Sequence, residues 1–295
     1  MTQKRAEILL ATVIAARATS LLFSKIAMNG MGIFNLLAAR FLMAFVLLAV
    51  VFFKRLRHIK RHTLVRGAIM GGLFFLMLST ELTGLKSTPS STVSLLENTA
   101  IILVPMAEAV LRHKLPKAAT AVSALVAIGG VALLTGQSGG FTPGMVLAVM
   151  AAVLYAAAII TTDRFSHEDD PLTLGIVQVG TLGLLALVSS FVFEAPHLPQ
   201  SGTQWLMIAG LAVICTGFGF TLQPVAQSQT TAQRAGPACA TLLGAAVLRE
   251  HISVMGMCGI ALILLSLLVP QLWQLAEKKG ITLLPRHAVP AVRRA

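Results

Sequence analysis

Residues 32–61 read GIFNLLAARFLMAFVLLAVVFFKRLRHIKR. Positions 32–53 are 22 residues with a single charge, Arg40, and the run stops at Lys54, Arg55, Arg57, Lys60 and Arg61. A helix of about 20 apolar residues crosses a bilayer, and a basic flank marks the cytoplasmic side. The stretch therefore reads as a spanning helix with one charge near mid-depth.

The same pattern recurs on both sides of it. Apolar runs predict ten spans, at 7–27, 32–53, 65–85, 89–111, 118–136, 143–162, 172–194, 203–226, 235–248 and 252–273. Turn and charge signals separate them, among them Asn29-Gly30, Ser87-Thr88-Pro89, Ser138-Gly139-Gly140 and Asp163 to Pro171. The chain has 295 residues, 56% hydrophobic and 12% charged, with a mean hydropathy of +0.83. Ten spans take roughly 200 residues, which leaves no room for a water-soluble domain. A disordered chain, a coiled coil and an ordinary soluble enzyme are excluded.

A net charge of +12 on a soluble chain would point to nucleic acid. Here the basic clusters at 54–66 and 278–294 read as orientation signals and contacts to anionic lipid, with no nucleic-acid partner. With the N-terminus in the cytoplasm, 18 of the 23 Lys and Arg fall inside and only Lys25, Lys86 and Arg249 outside. Both termini are therefore expected in the cytoplasm. The loop 163–171 fits least, with Arg164 alone among four acids, yet acids weigh little in this rule. Basic residues before the first apolar run resemble a signal peptide, but the run is long and lacks a small-residue cleavage site. An uncleaved first span is expected. Cys215, Cys239 and Cys258 all lie in apolar segments without a CxxC or Cys/His cluster, so neither a disulfide framework nor a metal site is expected.

The halves resemble each other. Ala109-Val110-Leu111-Arg112-His113 closes the fourth span, and Ala246-Val247-Leu248-Arg249-Glu250-His251 closes the ninth. Five spans per half force the second half upside down relative to the first, the inverted-repeat plan of many secondary transporters. The expected fold is all-α and polytopic: ten transmembrane helices as two inverted five-helix repeats around a central cavity. The repeats are placed at 1–139 and 140–274, with a basic cytoplasmic tail at 275–295.

On these residues the chain resembles the drug/metabolite transporter superfamily, EamA type. The resemblance rests on Leu36-Leu37-Ala38-Ala39-Arg40-Phe41 in the second span, on Ser87-Thr88-Pro89 before the fourth, and on the Val-Leu-Arg ends of the fourth and ninth. Within the superfamily it looks most like bacterial YddG-type amino-acid exporters. That resemblance implies a bacterial inner-membrane exporter of amino acids or similar metabolites, aromatic ones among them. Members often carry Trp-Gly in the first span where this chain has Arg17-Ala18. The ninth span is short and contains Pro237, which marks either a broken helix at the binding site or a thin spot against a tilted neighbour.

Ionisable groups inside spans cost about 2.5–3.5 kcal/mol each on insertion scales and are functional candidates by default. Arg17, Arg40 and Glu97 fall near mid-membrane, and Glu81 lies toward the outer end of the third span. Ser90, Glu97 and Glu108 share one face of the fourth span with Ser94 beside it, and Asn98 borders that stripe. Tyr155 sits among alanines of the sixth span, able to face a ligand or simply to pack. Gln223 falls where Glu81 falls in the first half, and Gln178 roughly where Arg40 does. The substrate-binding candidates are Arg17, Glu81, Ser94, Glu97, Asn98, Tyr155 and Gln223. Arg40 and Gln178 are read as shaping the cavity, and Phe74, Phe75, Phe218 and Phe220 as core or lipid-facing. Glu97 would couple transport to protons if it changes protonation during the cycle.

No Walker A sequence and no paired-Asp or HExxH arrangement occurs, so neither ATP hydrolysis nor an enzyme is expected, and no cofactor. Two other readings stand beside amino-acid export. One is transport of sugar phosphates, nucleotide sugars or drugs within the same superfamily; the other is an intramembrane enzyme. Expected partners are a small-molecule substrate and the lipid bilayer. The sequence fixes no oligomeric state, and a monomer is compatible with it.

Overall fold

The computed structural model describes residues 20–228 and 258–273, except 22, 112, 114, 117, 137–141, 260, 264, 267 and 271. The expectations for Arg17, the ninth span, the junction at 139–140 and the tail from 275 fall outside the described residues.

The described residues form helices and turns and no strand. We label the helices by the spans they make. Residues 20, 21 and 23–27 are helical and form α1; α2 is Ile33–Val51 and α3 is Arg61–Leu85. Helix α4 runs Ser90–Asn98, turns at Thr99 and resumes as Ala100–Leu111. Then come α5 (Ala118–Gly136), α6 (Pro143–Glu168) and α7 (Pro171–Phe193). Helix α8 is Gly202–Gln227, with a π-helical segment, Leu211–Phe220, between two α-helical ends. The described positions of 258–273 are helical. Six of the described helices, α2, α3, α4, α6, α7 and α8, are long and apolar enough to cross a membrane.

Local chemistry sets several of the ends. Thr142 accepts the Met145 N–H ahead of Pro143, and Asp170 accepts the Thr173 N–H at 3.2 Å ahead of Pro171. Proline at the first helical position gives up an N–H that no helix carbonyl could reach. Ser201 and Gln204 bond each other's backbone N–H groups to start α8. Helix α2 has no such cap from its own N-cap residue, Gly32. The Glu194 carboxylate, just past the end of α7, takes the N–H groups of Phe34 (3.2 Å) and Asn35 (3.0 Å). A Cβ at residue 32 would lie 2.1 Å from Glu194 Oε2, so Gly32 is what admits the carboxylate.

Helices meet where one of them has no side chain. A Cβ on Gly71 would lie 2.8 Å from the Gln178 carbonyl of α7, and one on Gly84 or Gly144 would lie 2.8 Å from the other's carbonyl. Those contacts hold α3 against α7 at one end and against α6 at the other. Gly175 lets α7 approach the Thr221 backbone of α8. Lipid is as apolar as leucine, so close backbone approach does what hydrophobic burial does in water. Outward faces are apolar: Val46, Leu47 and Val50 on α2, Leu184, Val188 and Phe191 on α7, Val213 and Ile214 on α8. The polar groups are inside instead, among them Arg40, Glu81, Glu97, Gln178 and Gln223.

At the basic end of the bundle, the run at 54–66 meets the acids of 163–171. Arg66 bonds Asp169 at 2.7 Å and Glu168 at 2.5 Å, His62 and Thr63 also reach Asp169, and Arg55 reaches Asp170 at 3.4 Å. So part of the cluster read from sequence as orientation signal and lipid contact is neutralised by protein. Burial pushes the Asp169 carboxyl up, but hydrogen bonds from Arg66, Thr63 and His62 outweigh it and hold the group below the usual carboxylate range.

Candidate substrate site

Arg40 is the eighth residue of α2 and 1% exposed. Its Nε donates to Thr216 Oγ1 at 2.6 Å and its Nη1 to Ser20 Oγ at 2.9 Å. The guanidinium carbon lies 4.9 Å from the centre of the Phe41 ring and 5.8 Å from that of Phe220. Hydrogen bonds from a charged donor contribute about 1.5–3 kcal/mol each, and ring faces attract a cation. These four partners tie α1, α2 and α8 together.

The rings extend inward from Arg40. Phe41 and Phe220 meet edge to face at 5.3 Å, Phe220 and Phe74 at 5.3 Å, and Phe74 and Tyr155 at 6.2 Å. Helices α2, α8, α3 and α6 each contribute one ring to this chain. Edge-to-face pairs add about 0.5–1.5 kcal/mol beyond burial, so the cluster is rigid and preorganised. Thr216 and Phe220 both sit in the π-helical segment of α8, whose looser turns set their positions. Such segments are rare and concentrate at functional sites.

Glu81 on α3 and Glu97 on α4 are both buried, at 4% and 6% exposure. On the α4 stripe Ser90 is also buried, whereas Ser94 and Glu108 are half-buried. Gln223 on α8 and Gln178 on α7 are buried, and neither amide atom of Gln178 has a hydrogen-bond partner among the described residues. An unsatisfied buried polar group costs about 1–3 kcal/mol. The Asn98 side chain, like Arg17, lies outside what is described.

A model of the EamA-like transporter family matches residues 4–136 and again residues 142–269. The chain belongs to the EamA-like transporter family. It is a multi-pass membrane protein of the drug/metabolite transporter superfamily. A solved crystal structure resembles this EamA-like chain with a TM-score of 0.68 at 20% identity, over 94% of this chain and 99% of the other. At that identity the likeness is one of fold. No curated protein matches the chain.

Of the residues singled out in this EamA-like sequence, the ring chain brings Tyr155 into one connected cluster with the surroundings of Arg40. Glu81 and Gln223 lie on α3 and α8, the helices that carry Phe74 and Phe220, whereas Ser94 and Glu97 lie on α4. The phenylalanines divide: Phe74 and Phe220 are central, Phe75 is half-buried and Phe218 is 38% exposed. Sequence reasoning did not find Ser20 and Thr216, the hydroxyls on Arg40, because a lone hydroxyl in an apolar helix carries no signal until its partner is known. It also did not find two backbone irregularities. The turn at Thr99 follows Glu97-Asn98 and precedes Pro105, and the π segment contains Gly217-Phe218-Gly219. Both patterns were readable as weak points in a span.

Proposed function

We propose that this EamA-like transporter exports amino acids and related small metabolites across the bacterial inner membrane by alternating access, with both termini cytoplasmic. One observation carries the reading: a buried guanidinium at the end of a chain of aromatic rings. A positive centre attracts a substrate carboxylate, and the rings suit an apolar or aromatic side chain. Glu81, Glu97, Ser94, Asn98, Gln223 and Arg17 are the candidates for the ammonium and the remaining polar contacts, with Tyr155 on the side chain and Arg40 shaping the site. Among the described residues Arg40 is the only fully buried cation. A dianionic phosphate would want several converging cations, which favours a zwitterion over a sugar phosphate.

Two inverted repeats are the second part of the proposal. Two tandem family matches support them, as do the contacts α2 with α8 and α3 with α7, which exchange when each span is moved on by five. Glycine contacts bind α3 to α6 and α7, so alternation belongs to the helices with irregular backbones, α4 and α8, more than to two rigid halves. The substrate must bind both open states comparably, since a ligand preferring one would trap the carrier. The test is release from cells loaded with a phenylalanine-containing dipeptide: expression of the chain should speed phenylalanine efflux. Efflux equal to that of cells lacking the protein would reject export.

A further inference from the structure

The strongest unassigned feature is on α7. Gln178 is fully buried, and both its Nε2 and its Oε1 lack a hydrogen-bond partner among the described residues. Two more buried side-chain atoms on α8, Thr221 Oγ1 and Gln227 Oε1, have no hydrogen-bond partner among the described residues. Helix geometry says where the amide points. With 3.6 residues per turn, the α7 face that meets α8 is marked by Gly175 against Thr221, and the face that meets α3 by Val177 and Thr181 against Gly67 and Gly71. Residue 178 falls between those two directions. Its side chain enters the wedge between α3 and α8, the two helices whose Phe74 and Phe220 rings meet at 5.3 Å.

The three residues also follow one another in depth. Helix α7 starts at the basic end, and α8 returns toward that end. Gln227 therefore lies nearest the basic end, Thr221 is level with Gly175, and Gln178 is one turn further toward the rings. The unsatisfied groups of Thr221 and Gln178 thus lie along one seam beside the aromatic cluster, and Gln227 lies beyond them on another face of α8.

We propose that Gln178, with Thr221, forms a second substrate subsite on the α7–α8 seam, through which a zwitterionic amino acid passes between the basic face and the aromatic centre. The chemistry is complementary. The amide Nε2 donates to a carboxylate while Oε1 accepts from an ammonium, and the hydroxyl does either. No charged side chain takes part, so the subsite holds a zwitterion weakly and lets it leave. This inference rests on the amino-acid reading above.

The test uses the full chain in liposomes, with labelled L-phenylalanine and L-threonine supplied at the basic face. Gln178→Leu keeps the volume and removes both orphan atoms. We expect KM to rise about tenfold with an unchanged or higher melting temperature, because the amide has no partner among the described residues to lose. An unchanged KM overturns the subsite and leaves the amide to ordinary water. So does a lower melting temperature with unchanged KM, which is what a merely structural amide gives. Should Gln178→Leu not fold, Thr221→Val carries the same test: raised KM supports the subsite and unchanged KM overturns it. If the unsubstituted protein carries neither amino acid, the functional reading falls and takes the subsite with it. If it carries them and both variants match it, only the subsite falls.

Discussion

Replacing Arg40 by lysine keeps the charge and removes the geometry. The guanidinium reaches Thr216 through Nε and Ser20 through Nη1, two different nitrogens on two different helices. A lysine ammonium on a single stem keeps one of these. The other, a hydrogen bond from a charged donor, is worth about 1.5–3 kcal/mol. Loss of the planar contact with Phe41 and Phe220 adds about 0.5–1 kcal/mol. Arg40→Lys should therefore cost about 2–4 kcal/mol. Arg40→Met should cost at least as much, because it abandons both hydroxyls and leaves Thr216 and Ser20 without their charged donor. The assay is thermal unfolding of the detergent-solubilised protein, the three forms side by side. Both substituted forms should melt below the unsubstituted protein. Arg40→Lys melting with the unsubstituted protein would refute the claim that two directed bonds hold α1, α2 and α8 at this point.

Three further outcomes follow from other parts of the molecule. Gly144→Leu places a side chain where Gly84, Ser87 and Thr88 atoms lie within 2.8 Å of its Cβ, and should destabilise by about 1–3 kcal/mol; Gly72→Ala, with open space at its Cβ, should melt unchanged. Asp169 has its carboxyl held low in the folded state, so its stabilisation is present above the unfolded value of about 3.9 and is lost as pH falls through the folded value. Melting temperature followed from about pH 7 down to about pH 3 should fall more steeply for the unsubstituted protein than for Asp169→Asn; parallel curves would remove Asp169 from the account. Glu97→Gln should alter either transport or its pH dependence in liposomes, and if both are unchanged Glu97 is neither ligand nor proton carrier.

Much of the fold was legible because a membrane imposes simple rules. The run 32–53 and its basic flank give α2, and Thr142-Pro143 and Asp170-Pro171 open α6 and α7 within a residue of where the pattern puts them. Helix α3 starts at Arg61, earlier than hydropathy suggested, because Arg66 has acids of another loop to pair with. The acidic loop 163–171, odd by charge counting, makes sense once those partners are seen. The site was less legible. Arg40 and Glu97 announce themselves as charges in apolar runs, but their neighbours are fixed by helix packing. That packing depends on which glycine faces which carbonyl, as at Gly71 and Gly175. Periodicity gives the face a residue lies on and not the helix it meets. The capping of α2 by Glu194 joins residues 160 positions apart, with no local signal at either end.

Counterflow in liposomes tests the central claim most directly. Vesicles holding the purified chain and loaded with unlabelled L-phenylalanine should accumulate labelled L-phenylalanine transiently, and other amino acids outside should compete while glucose 6-phosphate should not. Accumulation lost in Arg40→Lys would join the transport to the guanidinium and its ring chain. No counterflow of phenylalanine or of any amino acid in a panel, or competition by the sugar phosphate alone, would contradict the account.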